Sequence, residues 1–109
     1  MIRFDYIKGD KQQYIAKTME GEEIGRCRFY QDDYVMVIDQ LICEEKDADV
    51  AEGLCRAAFD RGLENLCAYG QFENIDCPAL EKTCFKGFNT GKSFVVTQFF
   101  HTCSGCAKK

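Results

Sequence analysis

The sequence predicts an α/β fold, in which helices pack on a mixed β-sheet. The first 43 residues fall into short runs of strand-forming residues separated by turn signals, which is typical of antiparallel hairpins. After residue 50 the apolar residues recur at helical spacing, and strands then alternate with helices. Such an alternation favours crossover units with parallel strands. The predicted order is therefore four mostly antiparallel strands, then helix, strand, helix and strand.

Turn signals divide the first part of the chain into four predicted strands. Gly9-Asp10, the sequence Glu-Gly-Glu at 20–22 and Asp32-Asp33 mark the turns. The fourth run is apolar on both faces, so we expect a central strand that is covered on both sides. The predicted strands cover residues 2–7, 13–19, 24–30 and 34–43.

The second part of the chain is predicted to hold two helices and two strands. Asp49 and Glu52 have the spacing of a capping box at the start of the first helix. Gly62 is a typical helix stop. The later elements are a strand over 66–70, a short helix over 78–86 and a last strand over 93–100.

The composition and the charge of the chain exclude several classes of protein. The 109 residues are 46% hydrophobic and 29% charged, which indicates one globular domain. A net charge of −4 disfavours nucleic acid as a partner, because its phosphates repel a negative surface. No apolar run approaches the roughly 18 residues of a membrane helix, and Arg3 and Asp5 break a signal-peptide pattern. We expect a cytoplasmic protein that does not enter membranes, with one domain over 1–100 and a Cys-containing polar tail over 101–109.

Eight cysteines are many for a chain of this length. In a secreted protein they would predict a disulfide framework. Here no signal peptide is recognised and several lie in apolar runs, so reduced thiols that serve as small core residues are the favoured interpretation. They are Cys27, Cys43, Cys55, Cys67, Cys77, Cys84, Cys103 and Cys106.

The run from Ile38 to Phe88 resembles the GNAT superfamily of acyl-CoA N-acyltransferases. In that family a central strand leads into a glycine-rich loop that opens a long helix. The strand corresponds here to VIDQLIC (37–43), the loop to Lys46–Ala51 and the helix to 52–62. LCAYG at 66–70 fits the next strand, and Asn74, Ala79 and Gly87-Phe88 fit the later signature. The two helices that usually follow the first strand are missing, so the resemblance implies a minimal GNAT-like domain.

This resemblance implies transfer of an acyl group from acetyl-CoA or another acyl-CoA to an amine substrate. The positions that match the family motif place Lys46, Ala51 and the backbone of Ile42 and Cys43 at the cofactor, with Asn74 beside it.

There are two candidate catalytic residues, one from the resemblance and one from its place in the sequence. Thr83 stands where related enzymes often carry a tyrosine that protonates the leaving thiolate. Asp39 lies among apolar residues of the central strand and has two interpretations. It is a general base whose pKa is raised by burial, or a structural carboxylate that faces the open side of a splayed sheet.

The loop differs from the family pattern in its charge. Glu44, Glu45, Asp47 and Asp49 surround the single base Lys46. Carboxylates at a helix N-terminus satisfy the amide donors that a phosphate needs, and they also repel the phosphate. A second hypothesis is therefore a non-catalytic binding module of the same fold that has lost coenzyme A, and that binds a cation or a basic partner through the acidic loop or a V-shaped opening.

The tail supports a third hypothesis, a small metal or thiol protein. His101, Cys103 and Cys106 offer three soft ligands within six residues. A closed zinc site needs a fourth ligand, which the sequence does not supply in a matching knuckle, so we expect no metal. An open sheet edge near the last strand favours pairing with a second copy, which makes a homodimer a further expectation.

Overall fold

The computed structural model describes residues 2–100. The tail, with His101, Cys103 and Cys106, lies outside the described residues. The strands are β1 (Arg3–Ile7), β2 (Gln12–Lys17), β3 (Glu23–Asp32), β4 (Val35–Cys43), β5 (Tyr69–Phe72) and β6 (Phe94–Val95), with the helix α1 (Ala48–Glu64) and a 3₁₀ helix (Pro78–Lys82).

All six strands form one mixed sheet in chain order. The first four are joined by antiparallel pairings. The chain then crosses through α1, so that β5 lies parallel to β4, and β6 returns antiparallel to β5. This arrangement confirms the predicted mixed sheet, with antiparallel strands first and a helical crossover after them.

The core lies between one face of the sheet and α1. The strands contribute buried residues such as Phe29 and Ile38, and the helix contributes Leu54 and Phe59. The rings of Phe59 and Phe72 meet edge to face, 5.6 Å between centroids. The later phenylalanines join this cluster as core residues, as expected: Phe85, Phe94 and Phe99 are buried, and Phe88 and Phe100 pack against them.

Two predicted boundaries of α1 are wrong. The helix begins at Ala48 after Asp47, whose side chain makes no capping hydrogen bond, so Asp49 and Glu52 do not form a capping box. Gly62 does not end the helix. It is buried against Met36, and an added Cβ would lie only 3.0 Å from the Met36 Cβ, so the glycine permits close packing of helix on sheet. Within residues 2–100, no helix has both the length and the apolar character needed to span a bilayer.

The segments after α1 are shorter than predicted. The strand expected over 66–70 is formed by Tyr69–Phe72, three residues later. The helix expected over 78–86 is only the 3₁₀ helix, which ends at Lys82. The strand expected over 93–100 reduces to Phe94–Val95, and residues 97–100 are helical. Each of these segments places a phenylalanine ring against Phe59, namely Phe72, Phe85 and Phe94.

The face of β4 that points away from α1 is covered along only half its length. Val37 on that face is 2% exposed, whereas Ile42 is 54% exposed. The prediction that this strand is covered on both sides is therefore confirmed only for its first half.

Candidate functional site

The two neighbouring parallel strands separate near the middle of β4. Their pairing runs from Val35 with Tyr69 to Ile38 with Phe72, and the Glu73 amide donates the last hydrogen bond to the Ile38 carbonyl at 3.1 Å. Beyond that point, within the described residues, β4 is paired only with β3. In open sheets, ligands bind in the crevice beyond the carboxyl ends of parallel strands. The separation thus marks a candidate site.

A β-bulge coincides with this separation. Arg28 pairs with Gln40 and Phe29 with Ile38, which leaves Asp39 as the extra residue of β4. Bulges re-aim side chains next to functional sites. Here Asp39 lies on the face opposite α1, against Arg28 of β3 and Lys11 of the turn before β2.

Asp39 is held by two cations rather than left free. Its Oδ1 accepts a hydrogen bond from Arg28 Nε at 3.0 Å, and its Oδ2 accepts one from Lys11 Nζ at 2.5 Å. The side chain is 7% exposed, and burial alone would raise the pKa of the carboxyl group, but the hydrogen bonds from Lys11 and Arg28 outweigh burial and lower it. The raised pKa that a general base needs is therefore not found at Asp39.

A second polar contact spans the strands beside Asp39. The Tyr30 hydroxyl donates to Glu73 Oε2 at 2.8 Å, and the Lys11 ammonium lies 4.7 Å from the centroid of the Tyr30 ring. The hydrogen bond to Glu73 raises the pKa of Tyr30 to about 12. Polar side chains thus tie β3 to the end of β5 across the point where β4 and β5 separate.

A groove of about 590 Å³ lies at the carboxyl end of β4, beside the start of β3 and the N-terminus of α1. Three residues expected at the cofactor, Ile42, Cys43 and Lys46, line it. The remaining lining residues are Glu22, Glu23, Ile24, Gly25, Arg26, Glu44 and Asp47.

The groove is acidic. Its lining carries four carboxylates and two cations, and both cations are already paired. Arg26 binds Glu23 through two hydrogen bonds of 3.0 and 3.1 Å, which lower the pKa of Glu23. Lys46 lies 3.6 Å from Glu44. Among residues 2–100, Glu22 and Asp47 form no ion pair, so the groove keeps an excess of negative charge.

The N-terminus of α1 opens beside these carboxylates. Asp47 precedes the helix and Asp49 lies in its first turn. The amides of Val50 and Ala51 donate to the Asp47 carbonyl at 3.0 and 3.1 Å. Ala51 is fully buried, so its side chain cannot line a ligand site. The positive end of the helix dipole therefore meets protein carboxylates at the place where the resemblance implies a diphosphate.

The other two predicted site residues lie elsewhere. Asn74 is exposed just after β5 and has a positive φ of 49°. Thr83 is 9% exposed, and its hydroxyl donates to the Leu80 carbonyl at 2.7 Å and accepts from the Phe85 amide at 3.1 Å. The Thr83 hydroxyl thus closes the 3₁₀ helix. The structure does not show Thr83 or Asn74 lining the groove.

The β3 side of the groove was missed in the sequence. Glu22, Glu23 and Arg26 enter it because Arg26 stands directly opposite Ile42 in the antiparallel register. Alternation along β3 could have shown which of its residues share a face, but the register needed to pair them with β4 was hidden by the bulge at Asp39.

Comparison with protein families and with curated proteins finds no match to this chain. Within the part of the chain that the structure describes, no three His, Cys, Asp or Glu side chains are grouped so that they could hold a metal ion. The chemistry of the groove therefore carries the functional inference.

Proposed function

We propose that the protein is a non-catalytic binding domain with a GNAT-like fold, and that its groove at the carboxyl end of β4 takes a cationic ligand, namely a basic segment of a partner protein. The observation that carries this proposal is the charge of the groove, four carboxylates against two cations that are already paired. Such a surface attracts Lys and Arg side chains and steers a basic partner toward it.

The contacts of the candidate catalytic groups support a binding role over catalysis. The Asp39 carboxylate is bound by Lys11 and Arg28, and a hydrogen bond joins the Thr83 hydroxyl to the backbone of Leu80. A proton-transfer group must be within reach of its substrate and have a pKa near the working pH. Neither residue has an arrangement that meets both conditions.

The sheet supports the GNAT-like part of the proposal. The parallel strands β4 and β5 diverge after Ile38, and α1 connects them, as the resemblance implies. The short connection over residues 8–11 leaves no room for the two helices that usually follow the first strand.

Electrostatics disfavour a polyanion in this groove. At about 6 Å and an effective dielectric constant near 20, one carboxylate repels a phosphate charge by roughly 2–3 kcal/mol. Solvent screening lowers this value at the groove mouth. A residual penalty of about 2 kcal/mol still weakens binding about 30-fold.

Thermal unfolding with two ligands tests the proposal. An oligoarginine peptide should raise the melting temperature at low salt and lose most of this effect at high salt, whereas millimolar acetyl-CoA should leave it unchanged. A ligand at 100 times its Kd adds about 2.7 kcal/mol, which is roughly 10 °C for a domain of this size.

Matched variants locate the binding. The double substitution Glu22→Gln with Asp47→Asn should weaken oligoarginine binding about five- to tenfold. The control, Asp10→Asn with Asp60→Asn, removes two exposed acids outside the groove and should not alter it. Equal losses in both double variants would show non-specific attraction and would reject the groove as the site.

The second candidate is an acyl-CoA-dependent N-acyltransferase. It is favoured by the position of Ile42, Cys43 and Lys46 in the groove. It is also favoured by the β4 edge beyond Ile38, which has no strand partner within the described residues and can bind the amides of an acyl-CoA arm. Asp39 and Thr83 would be its catalytic residues. A rise of several degrees in the melting temperature with millimolar acetyl-CoA would support this function and reject the binding function.

A further inference from the structure

Two thiols meet where β4 and β5 have separated. The Sγ atoms of Cys43 and Cys77 lie 3.9 Å apart, and neither residue is in a disulfide. Cys43 ends β4, and Cys77 precedes the 3₁₀ helix with an extended backbone, φ −146° and ψ 99°. The contact joins two segments that are 34 residues apart in sequence.

We propose that Cys43 and Cys77 form a thiol-oxidation site, which a small disulfide such as oxidised glutathione converts into a Cys43–Cys77 disulfide. The two sulfurs must approach by about 2 Å to reach bonding distance. Each side chain moves its sulfur by rotation about one bond, and Cys77 lies outside any regular helix or strand, so its backbone can follow. The proposal does not depend on the proposed function.

The more accessible thiol, that of Cys43, reacts with the oxidant first. Cys43 lines the groove and is half-buried, whereas Cys77 is 6% exposed. The deprotonated Cys43 sulfur attacks one sulfur of the oxidant, so that a mixed disulfide forms and one glutathione thiolate leaves. The deprotonated Cys77 sulfur then attacks Cys43, and the second glutathione leaves. Overall, two protein S–H bonds become one S–S bond, and the oxidant is reduced by two electrons to two thiols.

Three other cysteines of the described residues are less accessible than Cys43. Cys27, Cys55 and Cys67 are fully buried. Cys84 is exposed, and its sulfur accepts a hydrogen bond from Arg56 at 3.2 Å. Burial raises the pKa of Cys43 to about 12, with a further contribution from Cys77, so the exchange is slow at neutral pH and needs hours of incubation.

Peptide mapping of the full chain tests the site. The protein is incubated with oxidised glutathione, the remaining thiols are alkylated, and trypsin is added under non-reducing conditions. Cys43 lies in peptide 29–46, and Cys77 shares peptide 62–82 with Cys67. We expect a linked species of these two peptides, with fragment ions that place the bond on Cys77. The other five cysteines fall outside these two peptides, with Cys103 and Cys106 together in one, so their links have different masses.

Variants and a melting curve complete the test. The link should vanish in Cys43→Ser and in Cys77→Ser and persist in Cys67→Ser. The oxidised chain should melt about 5–15 °C higher than the reduced chain, and dithiothreitol should reverse the shift, because the bond closes a long loop. A stable glutathione adduct on Cys43 without the link, or a link on Cys67, would overturn the proposal.

Discussion

The two halves of β4 differ in their strand pairing and in their burial. Val35–Ile38 is paired on both sides, and Met36, Val37 and Ile38 are at most 2% exposed. Among residues 2–100, Asp39–Cys43 is paired only with β3, and it carries the exposed Ile42 and a carboxylate bound by two cations. One strand thus supplies both the scaffold and the candidate site, and what separates the two roles is whether β5 continues alongside.

This difference shows why charge gathers in the second half. A backbone edge without a strand partner admits side chains and water, and charged groups can be solvated there or paired at modest cost. The first half has no such access, so only apolar residues fit.

Replacing an isoleucine in each half should give the largest contrast. Ile38→Ala leaves a cavity under α1 and should lower the free energy of unfolding by about 3 kcal/mol. Ile42→Ala removes a side chain that is 54% exposed and should change it by less than about 0.5 kcal/mol. Urea denaturation measures both values, and similar losses in the two variants would contradict the contrast.

The charge cluster at the bulge should contribute less and should depend on pH. Asp39→Asn should cost about 1 kcal/mol at pH 7, because Lys11 and Arg28 are 47% and 38% exposed and stay solvated without their partner. The pKa of Asp39 is lowered in the folded chain, so its stabilisation is present above about pH 4 and is lost as the pH falls further.

Denaturation of the unmodified chain and of the Asp39→Asn variant, from pH 7 to pH 2.5, measures this pH dependence of stability. The difference between their free energies of unfolding should disappear near pH 2.5. A difference that increases on acidification would mean that the carboxyl group is protonated in the native state at neutral pH.

The hydrogen bond beside the separation point should have the smallest effect. Tyr30→Phe removes the bond to Glu73 and should cost at most about 0.5 kcal/mol at pH 7, since both groups are near solvent. The pKa of Tyr30 is raised to about 12, so its stabilisation is present below pH 10 and is lost as the pH rises through 12. Ultraviolet titration of the tyrosine side chains measures this pKa. The substitution Glu73→Gln should return the pKa of Tyr30 toward its ordinary value.

The first four strands could be predicted because hairpin turns and alternation are local signals. The turns at Gly21 and Asp33, with φ of 91° and 55°, adopt the conformation that their residues favour. After α1 the local signal is weak. The run over 93–100 is apolar enough for a strand or a helix, and only its packing on Phe59 and Phe72 decides.

The site was predictable in part for the same reason. Three groove residues follow directly from the end of β4, and the acidic loop is visible in the sequence. The sign of the Asp39 pKa shift was not predictable, because Lys11 and Arg28 lie 28 and 11 residues away in sequence. Nor does sequence spacing reveal that Cys77 meets Cys43, since that contact depends on how β5 leaves the sheet.

The charge preference of the groove is tested most directly by nuclear magnetic resonance on the ¹⁵N-labelled chain. Oligoarginine at low salt should move the amide signals of Gly25, Ile42, Lys46 and Asp47, while signals from β1 stay in place. Acetyl-CoA at the same concentrations should move none of them. Saturable shifts at these four amides with acetyl-CoA, and none with oligoarginine, would contradict the account.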